Sequence, residues 1–254
     1  MSAFTAHNIR FPDGSVTMPE LDHLLADVPW CGGAKRVLNM LYRGAPQGKR
    51  IADLGCLEGG YALEFARMGM DAFGIEVRES NYVNCLEVKR RAGLANLDFA
   101  KDDVLNLPKY GMFDVIFCCG LLYHLDNPRA FVRMLGEHAR DAVIINTHYA
   151  PWDWYPKSVF TLSGIEQHEG HPGRWYFEHD LTDPEALEKL KWASWENKRS
   201  YWPMKEALLQ SIAEAGFDLV FEQFDTLGDI LGNGTNEQTM ANHRGVFVGI
   251  RTGS

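Results

Sequence analysis

Ile51-Ala52-Asp53-Leu54-Gly55-Cys56-Leu57-Glu58-Gly59-Gly60 is the stretch that decides the fold. Its apolar run Ile51–Leu54 reads as a short buried strand, and a helix-period pattern starts at Gly60. Between them lies a turn carrying glycines at 55 and 59. A strand, a glycine turn and a helix start in succession let the backbone pass close to a ligand while the helix N-terminus offers free N–H groups. Gly55 and Gly59 are the residues placed for that approach. Taken alone, such a unit serves many nucleotide-binding and many purely structural folds.

The same rhythm continues outward. Strands are expected at Ala72–Ile75, Leu97–Ala100, Phe113–Cys118 and Ala142–Asn146, with helices at Ala34–Tyr42, Gly60–Met68, Ser80–Arg91 and Pro128–Ala139. Alternating short apolar runs and helical segments build βα units around a mostly parallel sheet, so the fold class is α/β. A helix at Met204–Ala215, a strand at Asp218–Phe224, a Gly- and Asn-rich loop and a strand at Val246–Arg251 close the chain, the last two strands pairing antiparallel at a sheet edge. Glu76 ends the second strand 21 residues beyond Gly55. An acid at about 20 residues from such a turn can accept both hydroxyls of a ribose.

Composition narrows the setting. The 254 residues are 46% hydrophobic, 12% aromatic and 23% charged, enough for one sizeable core and unlike a disordered or fibrous chain. The formal charge of −9 opposes a protein that grips polyphosphate in bulk, so neither nucleic acid nor an anionic membrane is expected as a partner. Five cysteines without a CxxC pair suggest neither a disulfide framework nor a zinc ribbon, and no apolar run approaches the roughly 20 residues of a membrane span. A cytoplasmic protein is the expectation. Residues 1–32, broken by Pro12, Pro19 and Pro29, read as an arm or lid before a domain of residues 33–254. Within that domain, residues 148–203 hold six of the seven tryptophans and four of the nine histidines, which marks an inserted cap.

Together these residues resemble the class I S-adenosylmethionine-dependent methyltransferases. Lys101-Asp102-Asp103-Val104-Leu105-Asn106-Leu107-Pro108 is similar to the acidic loop after the family's third strand, and Phe113 to Leu125 is similar to its fourth strand and active-site loop. The family often has a third glycine where this chain has Leu57. The resemblance implies a Rossmann-like seven-stranded sheet with helices on both faces, and S-adenosylmethionine as cofactor. It places Asp53 and Gly55 along the methionine part, with Gly59 in the turn that approaches the cofactor, Glu76 at the ribose, Asp103 (or Asp102) at the adenine amino group, Val104 on the adenine ring and the Cys119-Gly120 backbone at the methionine end.

In an open α/β sheet the ligand crevice lies beyond the carboxyl ends of the strands, where His124 and His148 follow strands four and five. Methyl transfer to a hydroxyl needs alignment and a base, and histidine suits the second task. His148 is the preferred candidate and His124 the next. Tyr123, Trp152, Arg174, Trp175, Tyr176, Trp195 and Trp202 are the candidate acceptor-binding residues, because aromatic faces beside hydrogen-bonding groups suit a sugar, glycoside or hydroxy-acid conjugate. The same tryptophans could instead form the cap's own core or an interface between copies in a homo-oligomer. His148, His168, Glu169, His171, Glu178, His179 and Asp180 supply oxygen and imidazole groups for a divalent ion such as magnesium, although their spacing matches no defined metal motif. The expected activity is O-methylation of a small polar metabolite. Rival readings are a tRNA-wobble-uridine-modifying enzyme, which the Leu122-Tyr123-His124 loop resembles, and a catalytically silent cofactor-binding subunit.

Overall fold

In the computed structural model, which describes residues 3–153, 158–224 and 243–253, the apolar runs become the strands of a seven-stranded mixed sheet flanked by helices. The elements are α1 (Pro29–Leu41), β1 (Arg50–Leu54), α2 (Gly60–Arg67), β2 (Asp71–Glu76), α3 (Glu79–Ala92), β3 (Leu97–Lys101), β4 (Phe113–Cys119), α4 (Pro128–His138) and β5 (Ala139–His148). They continue with β6 (Glu166–His168), β7 (His171–Phe177), α5 (Pro184–Lys189), β8 (Arg199–Pro203), α6 (Lys205–Glu214), β9 (Leu219–Gln223) and β10 (Arg244–Ile250). The strand order is β3-β2-β1-β4-β5-β10-β9, with a separate three-stranded sheet of β6, β7 and β8. By backbone proximity the chain divides into two compact units, Met1–Phe117 and Cys118–Ser254.

In the first unit β1 and β2 pair in parallel, as do β2 and β3, and Ile51, Ala52 and Leu54 are fully buried as a strand covered on both faces requires. Helix α1 begins five residues before the apolar period predicts. Pro29 occupies its first turn, where the missing N–H costs nothing, and burial of Cys31, Gly33 and Ala34 outweighs the poor helix propensity of Gly32-Gly33.

The glycine turn is shaped by one ring. Gly59 has φ +77°, and a Cβ there would lie 2.6 Å from the Phe99 ring; a Cβ on Gly74 of β2 would lie 2.5 Å from the same ring. Leu57, where the family often has glycine, also has positive φ, at +49°. That conformation costs an L-residue about 1–2 kcal/mol, and it is held by the Leu57 N–H donating to Glu76 Oε2 at 3.0 Å and the Cys85 thiol donating to the Leu57 carbonyl at 3.0 Å. Glu58, wholly buried, accepts from the backbone N–H groups of Thr5, Ala6 and His7 at 2.8–3.0 Å, and His7 Nδ1 accepts from the Gly60 N–H at 3.1 Å. The N-terminal arm thus caps the first turn of α2.

In the second unit β10 pairs antiparallel with both β5 and β9. Strand β5 is longer than Ala142–Asn146, because β10 offers it partners from Ala142 out to His148. Strands β6, β7 and β8 form an antiparallel meander whose β8 buries Tyr201 and Trp202. Trp202 packs with Ala150, Met204 and Ala207, covered by Tyr123, Phe160, Leu162 and Tyr176. The expected Gly- and Asn-rich loop, residues 225–242, and Trp154 lie outside the described residues. Among the described residues no helix is long and apolar enough to cross a membrane.

Gly59→Ala adds about 1–2 kcal/mol of left-handed backbone cost to about 1–3 kcal/mol of overpacking against Phe99. Urea unfolding followed by far-UV circular dichroism should show a clearly lower midpoint, and an unchanged midpoint would mean that Phe99 does not shape the turn.

Candidate active site

Residues at the carboxyl ends of β1, β2 and β3 supply the acids of the first unit. Asp53 is 2% exposed and accepts from the Ala62 N–H in the first turn of α2 at 3.0 Å. Burial first, and the nearby Glu76 charge after it, push its carboxyl up to about 7, against the pull of that single hydrogen bond. Glu76 is 3% exposed; its Oε1 accepts from the Arg78 N–H at 2.9 Å and Asn81 Nδ2 at 3.2 Å, and its Oε2, among the described residues, from the Leu57 N–H alone. Burial raises its carboxyl as well, partly offset by those donors.

After β3 the two neighbouring acids diverge. Asp102 is consumed locally, accepting from Asn106 Nδ2 at 2.6 Å, from the Tyr110 hydroxyl at 2.8 Å and from the Asp103 N–H at 2.8 Å. Asp103 caps the following 3₁₀ turn through Oδ1, which accepts from the Leu105 N–H, and its Oδ2 makes no hydrogen bond among the described residues. Val104 beside it is buried.

The second unit gathers a different set. Gly120, at φ +73°, donates its N–H to the Asn146 carbonyl at 2.9 Å, and Cys119 before it is half-buried. His124 follows in a single 3₁₀ turn, Leu122–His124, its side chain 14% exposed. Its Nδ1 lies 2.9 Å from Oε1 of Glu178, whose side chain is 1% exposed. The Ser200 hydroxyl donates to Glu178 Oε1 at 2.8 Å and the Ser194 N–H to Oε2 at 3.0 Å. Burial opposes ionisation of Glu178, but these donors, His124 foremost, hold its carboxyl below the usual range. A carboxylate can only accept, so the Nδ1 position carries the hydrogen.

His148 sits in an aromatic box, stacked on Trp202 at 4.9 Å and met edge-on by Phe160 at 4.8 Å and Tyr123 at 4.6 Å. Tyr123 and Tyr176 line the same cluster, Tyr176 stacking on Trp202 at 5.3 Å. The other sequence candidates lie elsewhere. Arg174 spends its guanidinium on the carbonyls of Pro151, Trp152 and Ser163 at 2.9–3.0 Å, which makes it a scaffold residue. Trp175 belongs to a second aromatic group with His168, Tyr201 and the overlying Arg199, Trp152 is 52% exposed with its indole N–H on Glu206, and Trp195 is half-buried between α5 and β8.

Residues 51–142 match a family model described as a methyltransferase domain. Residues 51–142 carry a methyltransferase domain. A crystal structure of the N-terminal domain of EvdMO1 with S-adenosylhomocysteine bound is 25% identical, over 86% of this chain and 81% of that one, with a TM-score of 0.63. Magnesium protoporphyrin IX methyltransferase of Synechocystis PCC 6803, with S-adenosylmethionine bound, shares the fold at 13% identity, over 88% of this chain and 80% of that one, with a TM-score of 0.53. Among curated proteins, the tRNA U34 carboxymethyltransferase of Campylobacter hominis is 38% identical over 95 residues, 36% of this chain and 31% of that protein. The enzyme of that name from Campylobacter jejuni subsp. doylei is 29% identical over 136 residues, 51% of this chain and 46% of that protein. The chain thus spans less than half the length of these curated relatives.

Two features of the second unit escape a sequence reading: the partnership of Glu178, which the sequence offers only as a candidate metal ligand, with His124, and the place of Arg244. Glu178 is 54 positions from His124, and only the pairing of β7 with β8 fixes its place. Arg244, at the start of β10, donates Nε to Asn146 Oδ1 at 2.6 Å and lies over the Tyr123 ring at 5.6 Å. Its two terminal nitrogens make no hydrogen bond among the described residues. The histidines and acids proposed to hold a divalent ion are dispersed: His168 meets Asn127, His171 meets Ser211, His179 meets the Ser194 carbonyl and Glu169 accepts from the N–H groups of Arg129 and Ala130. Among the described residues no three such side chains are gathered into a metal site.

Because Asp53 titrates near 7 in the folded chain and near 3.8 when unfolded, the native state binds the extra proton in that window, so stability falls as pH rises from about 4 to about 7. Asp53→Asn should flatten this part of the profile. Denaturation midpoints across pH 4–8 check it, and an unaltered slope in the variant would rule out Asp53 as the cause.

Proposed function

We propose that the chain transfers a methyl group from S-adenosylmethionine to a hydroxyl of a small acidic metabolite, such as a hydroxy acid or its glycoside, with His124 as general base. The observation that carries this reading is the His124–Glu178 pair. A histidine whose Nδ1–H is held by a buried carboxylate keeps Nε2 as an acceptor, the form in which imidazole takes a proton.

The residues of the first unit fit the cofactor's chemistry. Asp53 in β1 and Glu76 at the end of the adjacent β2 are two buried acids, each pushed toward its neutral form, an environment that favours a cationic ligand. In this assignment Asp53, Gly55 and Gly59 flank the cationic methionine part, and Glu76 meets a ribose hydroxyl through Oε2, its less occupied oxygen. Asp103 Oδ2 accepts from the adenine amino group while Val104 lies against the ring. Asp102, already saturated, has no part. S-adenosylmethionine supplies an electrophilic methyl group on a sulfonium, which needs no activation by the protein.

What remains is alignment and proton removal. His124 Nε2 takes the hydroxyl proton as the oxygen forms its bond to the methyl carbon, leaving a methyl ether and S-adenosylhomocysteine. Tyr123, Tyr176, His148 and Trp202 give the acceptor flat apolar walls, with residues 148–203 as its cap. Arg244 pairs with the acceptor's carboxylate through its terminal nitrogens, the role that Arg174 cannot take. His148, boxed by three rings, shapes the wall and is the second candidate base.

Likeness to tRNA U34 carboxymethyltransferases favours one competing acceptor, a tRNA uridine. Against it stands the −9 charge, in a chain whose longest basic run is the three residues Lys89-Arg90-Arg91. One screen separates them: S-adenosylhomocysteine release measured with hydroxy acids, their glycosides and bulk tRNA, with and without magnesium. Product with the small acids is expected, and product with tRNA alone would overturn the acceptor assignment. With the small acceptor, His124→Asn should lower turnover by about 10²–10⁴-fold at unchanged S-adenosylhomocysteine affinity. Arg244→Ala should raise KM by roughly ten- to a hundredfold, the worth of a charged hydrogen bond; a normal KM in that variant would remove the carboxylate contact.

A further inference from the structure

We infer that Glu178 is the positioning residue of this site, fixing His124 as the Nδ1–H tautomer so that Nε2 is always the proton acceptor; this rests on the general-base role given to His124 above. The geometry allows one arrangement. Glu178 Oε2 is taken by the Ser194 N–H at 3.0 Å, a backbone donor that cannot reverse. Oε1 therefore faces His124 Nδ1 at 2.9 Å together with the Ser200 hydroxyl at 2.8 Å. With 1% of its side chain exposed, the carboxylate has no water to exchange for these partners. The backbone of the histidine is anchored from the same region, since Asn197 Nδ2 donates to the His124 carbonyl at 3.0 Å and the Tyr201 N–H donates to the next carbonyl, that of Leu125, at 2.9 Å.

All of these partners, Glu178, Ser194, Asn197, Ser200 and Tyr201, come from the stretch that carries β7 and β8. The segment that caps the acceptor therefore also sets the protonation pattern of the base, and an unfolded cap would leave His124 free to adopt either tautomer. The other titratable or charged groups around the pair are Tyr123, whose ring centroid is 4.2 Å from that of His124, Tyr176 beside Glu178, and His148 and Arg244, both against Tyr123. None of them offers His124 Nδ1 a second acceptor in the described structure.

Glu178→Gln gives the sharpest test, because the amide has one acceptor oxygen where the carboxylate meets three donors, Ser194 N–H, His124 Nδ1–H and the Ser200 hydroxyl, of which only the hydroxyl can turn to accept. Its oxygen must meet the Ser194 N–H, so its NH₂ group turns to His124 Nδ1 and donates. The hydrogen of the imidazole then moves to Nε2, the atom that should receive the acceptor's proton. The expected results are these: ¹⁵N chemical shifts of His124 in the wild-type protein, with S-adenosylhomocysteine added, report protonated Nδ1 and bare Nε2; in Glu178→Gln the two exchange. Turnover in that variant falls by about 10²–10⁴-fold through kcat, with KM and S-adenosylhomocysteine affinity unchanged, and Glu178→Asp recovers part of it. A wild-type His124 protonated at Nε2, or a Glu178→Gln protein that keeps the wild-type shifts and kcat, would overturn the inference. The shifts require no acceptor, so they judge Glu178 even if no small acid is methylated. An exchange of tautomers in a chain that methylates only tRNA, or nothing, would leave the positioning role standing and remove the function proposed above. Should Glu178→Gln fail to fold, the wild-type shifts alone decide.

Discussion

A carboxylate removed from water has to be met by donors, and the first unit is arranged around three that are. Glu76 gathers the N–H groups of Leu57 and Arg78 and the Asn81 amide; Asp53 takes the Ala62 N–H; Glu58 takes three successive N–H groups of the N-terminal arm. These bonds explain why the turn tolerates Leu57 at positive φ and why the arm lies where it does. They also leave an imbalance, since Asp53 has a single donor among the described residues and an acidic neighbour in Glu76, and its carboxyl is pushed up to about 7. The buried Arg78 offsets part of the burial cost at Glu76, while Asp53 meets no cation among the described residues.

The second unit solves a similar problem with a different outcome. Glu178 is as buried as Glu58, yet one of its partners is a titratable ring at the carboxyl end of β4. Where Glu58 organises backbone, Glu178 organises an imidazole. The tryptophan-rich segment supplies core: Trp202 and Tyr201 are buried, and Tyr176, His148 and the neighbouring Tyr123 pack against the Trp202 ring. Arg174 shows how such a segment misleads, because a guanidinium among aromatic residues looks like a ligand contact and turns out to tie three loop carbonyls together.

The parts legible in the sequence are those set by local physics. Apolar runs of four to six residues gave the strands of the first unit, and the two positive-φ glycines at 55 and 59 could be read from the turn they interrupt. The start of α1 was not legible, because Gly32 and Gly33 argue against a helix that only tertiary burial makes favourable. The choice between Asp102 and Asp103 depended on Asn106 and Tyr110, whose side chains reach Asp102 only once the 3₁₀ turn forms. The preference for His148 over His124 came from its place at a strand end, while the feature that separates them, an acid 54 residues away, is created by strand pairing. Arg244 carried no local signal at all.

The central claim is that the acidic glycine turn is the S-adenosylmethionine site. Isothermal titration calorimetry of the purified chain with S-adenosylmethionine, and separately with S-adenosylhomocysteine, tests it most directly. The account predicts saturable one-to-one binding of both in the micromolar range, weakened by Glu76→Ala and by Asp103→Ala. Absence of heat from either nucleotide at millimolar concentration, with a protein that unfolds cooperatively, would contradict it.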